Sequence, residues 1–197
     1  MARTESYMLP LNTKAHFFSL PNSVDESIIS LDQVKGVSGT LIIFMCNHCP
    51  YVLHLLDKML EISREIKECG INTVAISSND VENYPDDRPE LMKKLALEKS
   101  FNFPYLYDQT QEVALAYKAT CTPDFYLFDH DLKLVYRGRF DNARPKNNNP
   151  VTGQDLNEAC QKLSNGLPQE TNQVPSLGCG IKWKDGKNPK PKGWFSN

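Results

Sequence analysis

Apolar positions change their period several times along the chain, and each change predicts an element. Residues 40–45 (TLIIFM) are continuously apolar, the pattern of a strand covered on both faces. Val52, Leu55, Leu56, Met59, Ile62 and Ile66 then recur at three- and four-residue spacing. That spacing predicts one buried helix face, stopped by Gly70. Residues 71–76 give a second buried strand, and a polar loop over 77–87 leads to an amphipathic helix near 90–99. A short apolar run at 105–107 and a short helix around 112–118 follow. Residues 124–128 and 132–136 predict two strands joined by the turn Asp129-His130-Asp131, an antiparallel hairpin, and 154–163 predicts a last helix. Ahead of these, residues 14–20 and 26–31 predict an N-terminal β-hairpin around Pro21-Asn22-Ser23. Strand and helix alternate, so the expected fold class is α/β, with a mixed, partly parallel central sheet flanked by helices.

From Leu167 onward Pro and Lys replace periodicity. This divides the chain into a domain over 1–166 and a C-terminal extension over 167–197 that is either an extended wrap or flexible. The extension's last stretch, 178–197, carries five Lys against one Asp; a solvated tail lying on its own acidic body is the expectation, not nucleic-acid binding. The whole chain has a formal net charge of -2 and 40% hydrophobic residues, which gives no pull toward nucleic acid or membrane. The longest strongly apolar run, 41–46, is far too short to cross a bilayer, and no apolar signal segment follows Arg3. A cytoplasmic location is therefore expected. In a reducing compartment six cysteines argue against a structural disulfide framework and for catalytic or metal-bound thiols.

Cys46-Asn47-His48-Cys49 stands where the buried strand ends and the amphipathic helix opens. A thiolate attacks a disulfide and a thiol does not, so a redox cysteine needs its pKa lowered from about 8.5. Unpaired amides and the dipole at a helix N-terminus do this. With Cys46 at the boundary, the amides of His48 and Cys49 would face its sulfur, and Cys49 on the same turn would close a disulfide. Pro50 removes one amide, so regular helix begins either before it or at it. Half of a zinc site and two unrelated core cysteines are the alternatives for a C-x-x-C. A c-type haem site is excluded, because Pro50 follows the second cysteine where His is required. His48, if protonated, would stabilise the Cys46 thiolate and make the couple more oxidising; otherwise it is a solvated histidine whose pKa the helix end depresses.

Several segments together resemble the thioredoxin-like redoxins of the alkyl hydroperoxide reductase and thiol-specific antioxidant superfamily. They are 17–20 (FFSL), 44–52 (FMCNHCPYV), 76–85 (ISSNDVENYP), 103–108 (FPYLYD), 120–129 (TCTPDFYLFD) and 136–145 (YRGRFDNARP). The resemblance implies a thioredoxin-like fold with Thr122-Pro123 as a cis-proline turn facing the cysteines, Thr122 and Pro123 offering backbone groups to an extended substrate; the alternative is an ordinary trans Pro opening a strand. It also implies Cys46 as nucleophile, Cys49 as resolving thiol, no cofactor, and protein or small-molecule thiols and disulfides as partners, with a thioredoxin-type reductant among them. Two departures matter. Thioredoxins carry a buried acid in the strand before the active site, and Ile42, Ile43 and Phe44 offer none. The peroxidatic P-x-x-x-T-x-x-C pattern is absent, since Gly39 and Ile43 precede Cys46 at those positions and Ile42 and Cys46 precede Cys49.

Cys121, two residues before Pro123, and Cys179, in a Gly178-Cys179-Gly180 turn, are candidate relay thiols; otherwise they are a core residue and an inert exposed thiol. Four converging sulfurs, Cys46, Cys49, Cys121 and Cys179, would instead make a tetrahedral metal site. Cys69 and Cys160 fit core positions. Arg137, Arg139 and Arg144 could hold an anionic or peptide substrate near the sheet edge, with a solvated, charge-guarded edge as the commoner outcome, and His16, His54 and His130 are scattered without chemistry. The expected activity is thiol–disulfide exchange, with a thiol-dependent peroxidase and a non-enzymatic metal-binding module as the competing functions.

Overall fold

The computed structural model describes residues 3–189. Its centre is a five-stranded sheet of β4 (Gly39–Phe44), β5 (Ile71–Ser77), β6 (Tyr105–Tyr107), β8 (Asp124–Asp129) and β9 (Leu134–Tyr136), in the order β6-β5-β4-β8-β9. β4 pairs in parallel with β5 and β5 with β6, while β8 runs antiparallel to β4 and to β9. β4 is buried at every position, as a strand covered on both faces must be. Its side chains divide by the period of two: Leu41 and Ile43 enter one core with α2 (Pro50–Glu68) and α5 (Gln154–Ser164), and Ile42 and Phe44 enter the other with Phe18, Leu31 and Tyr117.

α2 supplies most of the first core. Val52, Leu55, Leu56, Met59, Ile62 and Ile66 are all buried, each contributing about 1.5–3 kcal/mol by leaving water. Pro50 occupies the first helical position, so Cys49 is the N-cap in extended conformation. Gly70 follows the helix at φ +77°, and a Cβ there would meet Val37 at 2.6 Å.

The remaining elements are short. β2 (Ser19–Pro21) and β3 (Ile28–Ser30) form the N-terminal hairpin, narrower than 14–20 and 26–31, because Leu31 turns inward and opens the helix α1 (Leu31–Val34). α3 is Pro89–Glu98, α4 is Glu112–Ala116, and β9 starts only at Leu134 because Leu132 takes a left-handed turn conformation. Arg137, expected at a solvated edge, is instead wholly buried: it lies 3.0 Å from the buried Asp124 and stacks over Tyr126. Its neighbour Arg139 pairs with Asp155.

The C-terminal extension holds a strand that polar, glycine-rich sequence did not suggest. β10 (Leu177–Gly180) lies between β1 (Arg3–Glu5) and β7 (Cys121–Thr122), antiparallel to both. Cys179 is thus in a strand and not a turn. Residues 190–197, which carry the end of the basic stretch, lie outside the described residues. Among the described residues no helix is long and apolar enough to cross a membrane.

Candidate active site

β4 ends at Phe44, and the chain passes through Cys46-Asn47-His48 before α2 begins. Opposite, β7 runs into the Thr122–Pro123 peptide bond, which is cis. The two loops meet at the sulfurs. Cys46 Sγ lies 3.5 Å from Thr122 Oγ1, and Cys49 Sγ lies 3.1 Å from the Thr122 carbonyl, to which its thiol donates. Both cysteines are buried, 1% and 0% exposed.

The two thiols titrate as one pair. Cys49 is pushed down to about 5, first by the hydrogen bond it receives from Cys46, against burial, and further by Thr122, the Cys179 thiol and the Val52 amide. The Thr122 carbonyl favours the protonated form, yet several donors converge on one sulfur and outweigh it. Cys46 moves the opposite way, well above an ordinary thiol, because it gives its proton to Cys49, is buried, and faces Asp87. Helix begins at Pro50, so Cys49 is the N-cap, with Cys46, which titrates together with it, in the loop just before.

His48 completes the loop with a partner that sequence reading missed. Its Nδ1 is 2.7 Å from Oδ2 of the buried Asp87, close but off the axis of an ideal hydrogen bond. The hydrogen bond and charge of Asp87 raise the His48 pKa, against burial. Burial pushes Asp87 upward, but His48, Asn79 and the Asn47 amide together hold it below the usual carboxylate value. The Asn47 amide donates to Asp87 Oδ1 at 2.8 Å and Asn79 Nδ2 to Oδ2 at 2.7 Å. Tyr84 stacks on the His48 ring at 6.0 Å between centroids. Asp87 sits in the polar loop after β5, and only its burial, invisible in the sequence, distinguishes it from the neighbouring Asp86.

Of the expected relay thiols the structure brings in one. Cys179 is opposite Thr122 in the β10–β7 register, on the same face of the ribbon. It shares a buried cluster with Cys46 and Cys49, and burial, followed by the interaction with Cys49, raises its pKa to about 12. Cys121 is turned away by strand alternation; it lies 3.9 Å from Ser6 Oγ, beside Asp124, and burial raises its pKa well above normal. The four sulfurs therefore form no tetrahedral ligand set. Among the described residues, Cys46, His48 and Asp87 offer donor atoms within 4.8 Å of one another. The Asp87 oxygens are already taken by His48, Asn47 and Asn79, so the group suits charge and proton handling better than a metal. Cys160 is buried, its pKa raised to about 12 by burial, and Cys69 is half-buried at the end of α2.

A parallel-to-antiparallel sheet with a C-x-x-C at a strand end and a cis-proline turn over it defines a thioredoxin-like redoxin. The model of the AhpC/TSA family matches residues 11–137, and the chain belongs to that family. Among solved structures it is similar to an uncharacterized conserved protein from Geobacillus kaustophilus, with 50% identity, TM-score 0.92, and coverage of 94% of this chain and 98% of that one. It is also similar to a hypothetical protein from Sinorhizobium meliloti 1021, with 39% identity, TM-score 0.90, and coverage of 93% and 100%. The thioredoxin domain of a thiol-disulfide oxidoreductase from Bacteroides vulgatus shares the fold at 17% identity and TM-score 0.59, covering 77% of this chain and 98% of that one. No curated protein matches the chain. Family membership gives the chain a redox function in general.

Proposed function

We propose that this protein is a thiol–disulfide oxidoreductase that cycles Cys46 and Cys49 between dithiol and disulfide. The observation that carries the reading is geometric: two buried thiols of one C-x-x-C both meet Thr122, the residue before a cis proline, with Cys46 Sγ 3.5 Å from its Oγ1 and Cys49 Sγ 3.1 Å from its carbonyl. A lone structural cysteine has no such environment.

In the reducing direction the thiolate of the Cys46/Cys49 pair attacks a disulfide sulfur of the substrate. The substrate S–S bond breaks, one substrate thiolate leaves, and the attacking cysteine carries a mixed disulfide. The other cysteine of the pair then gives its proton to the departing thiolate and attacks the sulfur of the first, which closes the Cys46–Cys49 bond and frees the second substrate sulfur as a thiolate. His48, whose pKa Asp87 raises, lies beside Cys46 and, when protonated, favours an anion there. Thiols and disulfides are the substrate class, and a thioredoxin-type reductant in a reducing compartment such as the cytoplasm would close the cycle.

The test is steady-state reduction of a low-molecular-weight disulfide by the single variants. Cys46→Ser and Cys49→Ser are each expected to lower turnover at least tenfold. Wild-type turnover by either variant contradicts the reading.

A further inference from the structure

A guest strand that met the cysteines of this fold would pair with the backbone of β7 beside Pro123. Here that edge is taken. β10 lies along it with Cys179 opposite Thr122 and Gly180 opposite Cys121. The approach is so close that a Cβ on Gly178 would stand 2.0 Å from the Thr122 carbonyl oxygen. The segment after β10 is tied down as well. The Lys182 amide donates to Asn79 Oδ1 at 2.8 Å, and the Lys182 carbonyl accepts from the Asp80 amide at 2.8 Å. The buried Gln111 donates to the same carbonyl and accepts from the Lys184 amide. The protein's own C-terminal strand thus stands in the position of a substrate strand and presents a thiol.

Cys46, Cys49 and Cys179 share one buried cluster, and Cys49 and Cys179 both stand against Thr122. Only Cys179 of the three lines the cleft of about 800 Å³ that opens beside Pro50 and Tyr51. Arg3, Arg144 and Lys146 also line it, against one carboxylate, Glu5. A protein strand is excluded from the filled edge, whereas a small thiol enters this cleft, and three cations select one that carries carboxylates.

Resting on the dithiol reading above, we propose that Cys179 is a third redox sulfur, through which the Cys46/Cys49 couple exchanges with an anionic low-molecular-weight thiol. With Cys46–Cys49 oxidised, the Cys179 thiolate attacks Cys49 Sγ. The Cys46–Cys49 bond breaks, Cys46 leaves and takes the proton that Cys179 lost, and a Cys49–Cys179 disulfide results. An external thiolate then attacks Cys179 Sγ and releases the Cys49 thiolate. A second external thiolate attacks the external sulfur of this mixed disulfide and frees Cys179. The net change is oxidation of two external thiols to their disulfide and reduction of one protein disulfide; the reverse sequence reduces an external disulfide.

The test is disulfide mapping of the full-length protein after one equivalent of diamide, acid quench and alkylation, followed by reduction kinetics. Wild type is expected to give both Cys46–Cys49 and Cys49–Cys179 linked peptides, and Cys46→Ser only the second. Reduction of the oxidised protein by glutathione is expected to slow at least tenfold in both Cys179→Ser and Cys179→Ala. In wild type, added salt should slow glutathione and speed the cationic thiol cysteamine. A Cys46–Cys49 disulfide with Cys179 always alkylated, and undiminished rates in both Cys179 variants, overturns the proposal while leaving the dithiol couple intact. The same salt response for the two thiols overturns the anionic assignment. Cys46 and Cys49 that never pair count against the couple itself, and against this proposal with it.

Discussion

Asp87 lies against His48, with Oδ2 2.7 Å from Nδ1, and thereby places a charged pair from the loop after β5 next to the first active-site cysteine. Thioredoxins set a buried acid in the strand before the active site. This chain has Ile42, Ile43 and Phe44 there, and its buried acid Asp87 lies instead against the histidine between the two cysteines.

The pair makes stability depend on pH in a defined window. His48 has a raised pKa in the folded protein, so its contribution is complete below the unfolded value near 6.5 and disappears as pH rises through the folded value. Asp87 has a lowered pKa, so its share is present above about 3.8 and lost as pH falls through the folded value. Asp87→Asn should therefore cost about 1–2 kcal/mol at pH 5.5, the low end for a charged hydrogen bond because His48 is half-buried, and clearly less at pH 9. Urea denaturation at the two pH values checks this. An equal loss at both would mean that the pair carries no charge.

Cys49 should titrate as a thiolate with a midpoint of about 5, read by absorbance at 240 nm in the reduced protein. The step should vanish in Cys49→Ser. In Cys46→Ala it should move upward, because the strongest donor to the Cys49 sulfur is gone. A reduced protein whose thiols all titrate above pH 8 would refute the shared proton.

Gly178→Ala should destabilise the protein by about 1–3 kcal/mol, the usual range for overpacking, since its Cβ would stand 2.0 Å from a backbone oxygen that cannot yield. Gly180→Ala should cost less, because there the Cβ meets only the Thr4 hydroxyl, at 3.1 Å. Thermal or urea unfolding of the two variants ranks them, and the reverse order would place β10 elsewhere.

Arg137→Met should cost about 3–5 kcal/mol by leaving Asp124 charged and unpaired in the core. Burial already raises the Asp124 pKa, against Arg137, and without the guanidinium it should rise further. The double variant Arg137→Met with Asp124→Asn should recover part of the loss, since no buried charge then remains. Urea midpoints of the three proteins decide it; no recovery would mean that packing and not charge sets the cost.

Sequence periodicity located the elements that build the site. β4 and α2 are long and strongly apolar, and their junction places Cys46 and Cys49 together wherever the rest of the chain lies. β10 and β1 were not legible, because strands of four and three residues carry almost no period and β10 is half glycine. The choice between Cys121 and Cys179 was hidden for the same reason: they sit one register step apart across the β7–β10 pair, and alternation sends them to opposite faces. Arg137 misled because a lone charge normally lies outside, and its partner Asp124 is brought near only by pairing across the β8–β9 hairpin. Asp87 was one of several acids in a polar loop until the fold buried it.

The most direct measurement is a redox titration of the full-length protein against glutathione, with alkylation and peptide-level mass analysis of each cysteine. Cys49 should become protected from alkylation along one two-electron curve, with its partner divided between Cys46 and Cys179, while Cys121 and Cys160 stay reduced throughout. Oxidation of Cys46 with Cys49 still reduced, or a disulfide that includes neither, would contradict the account.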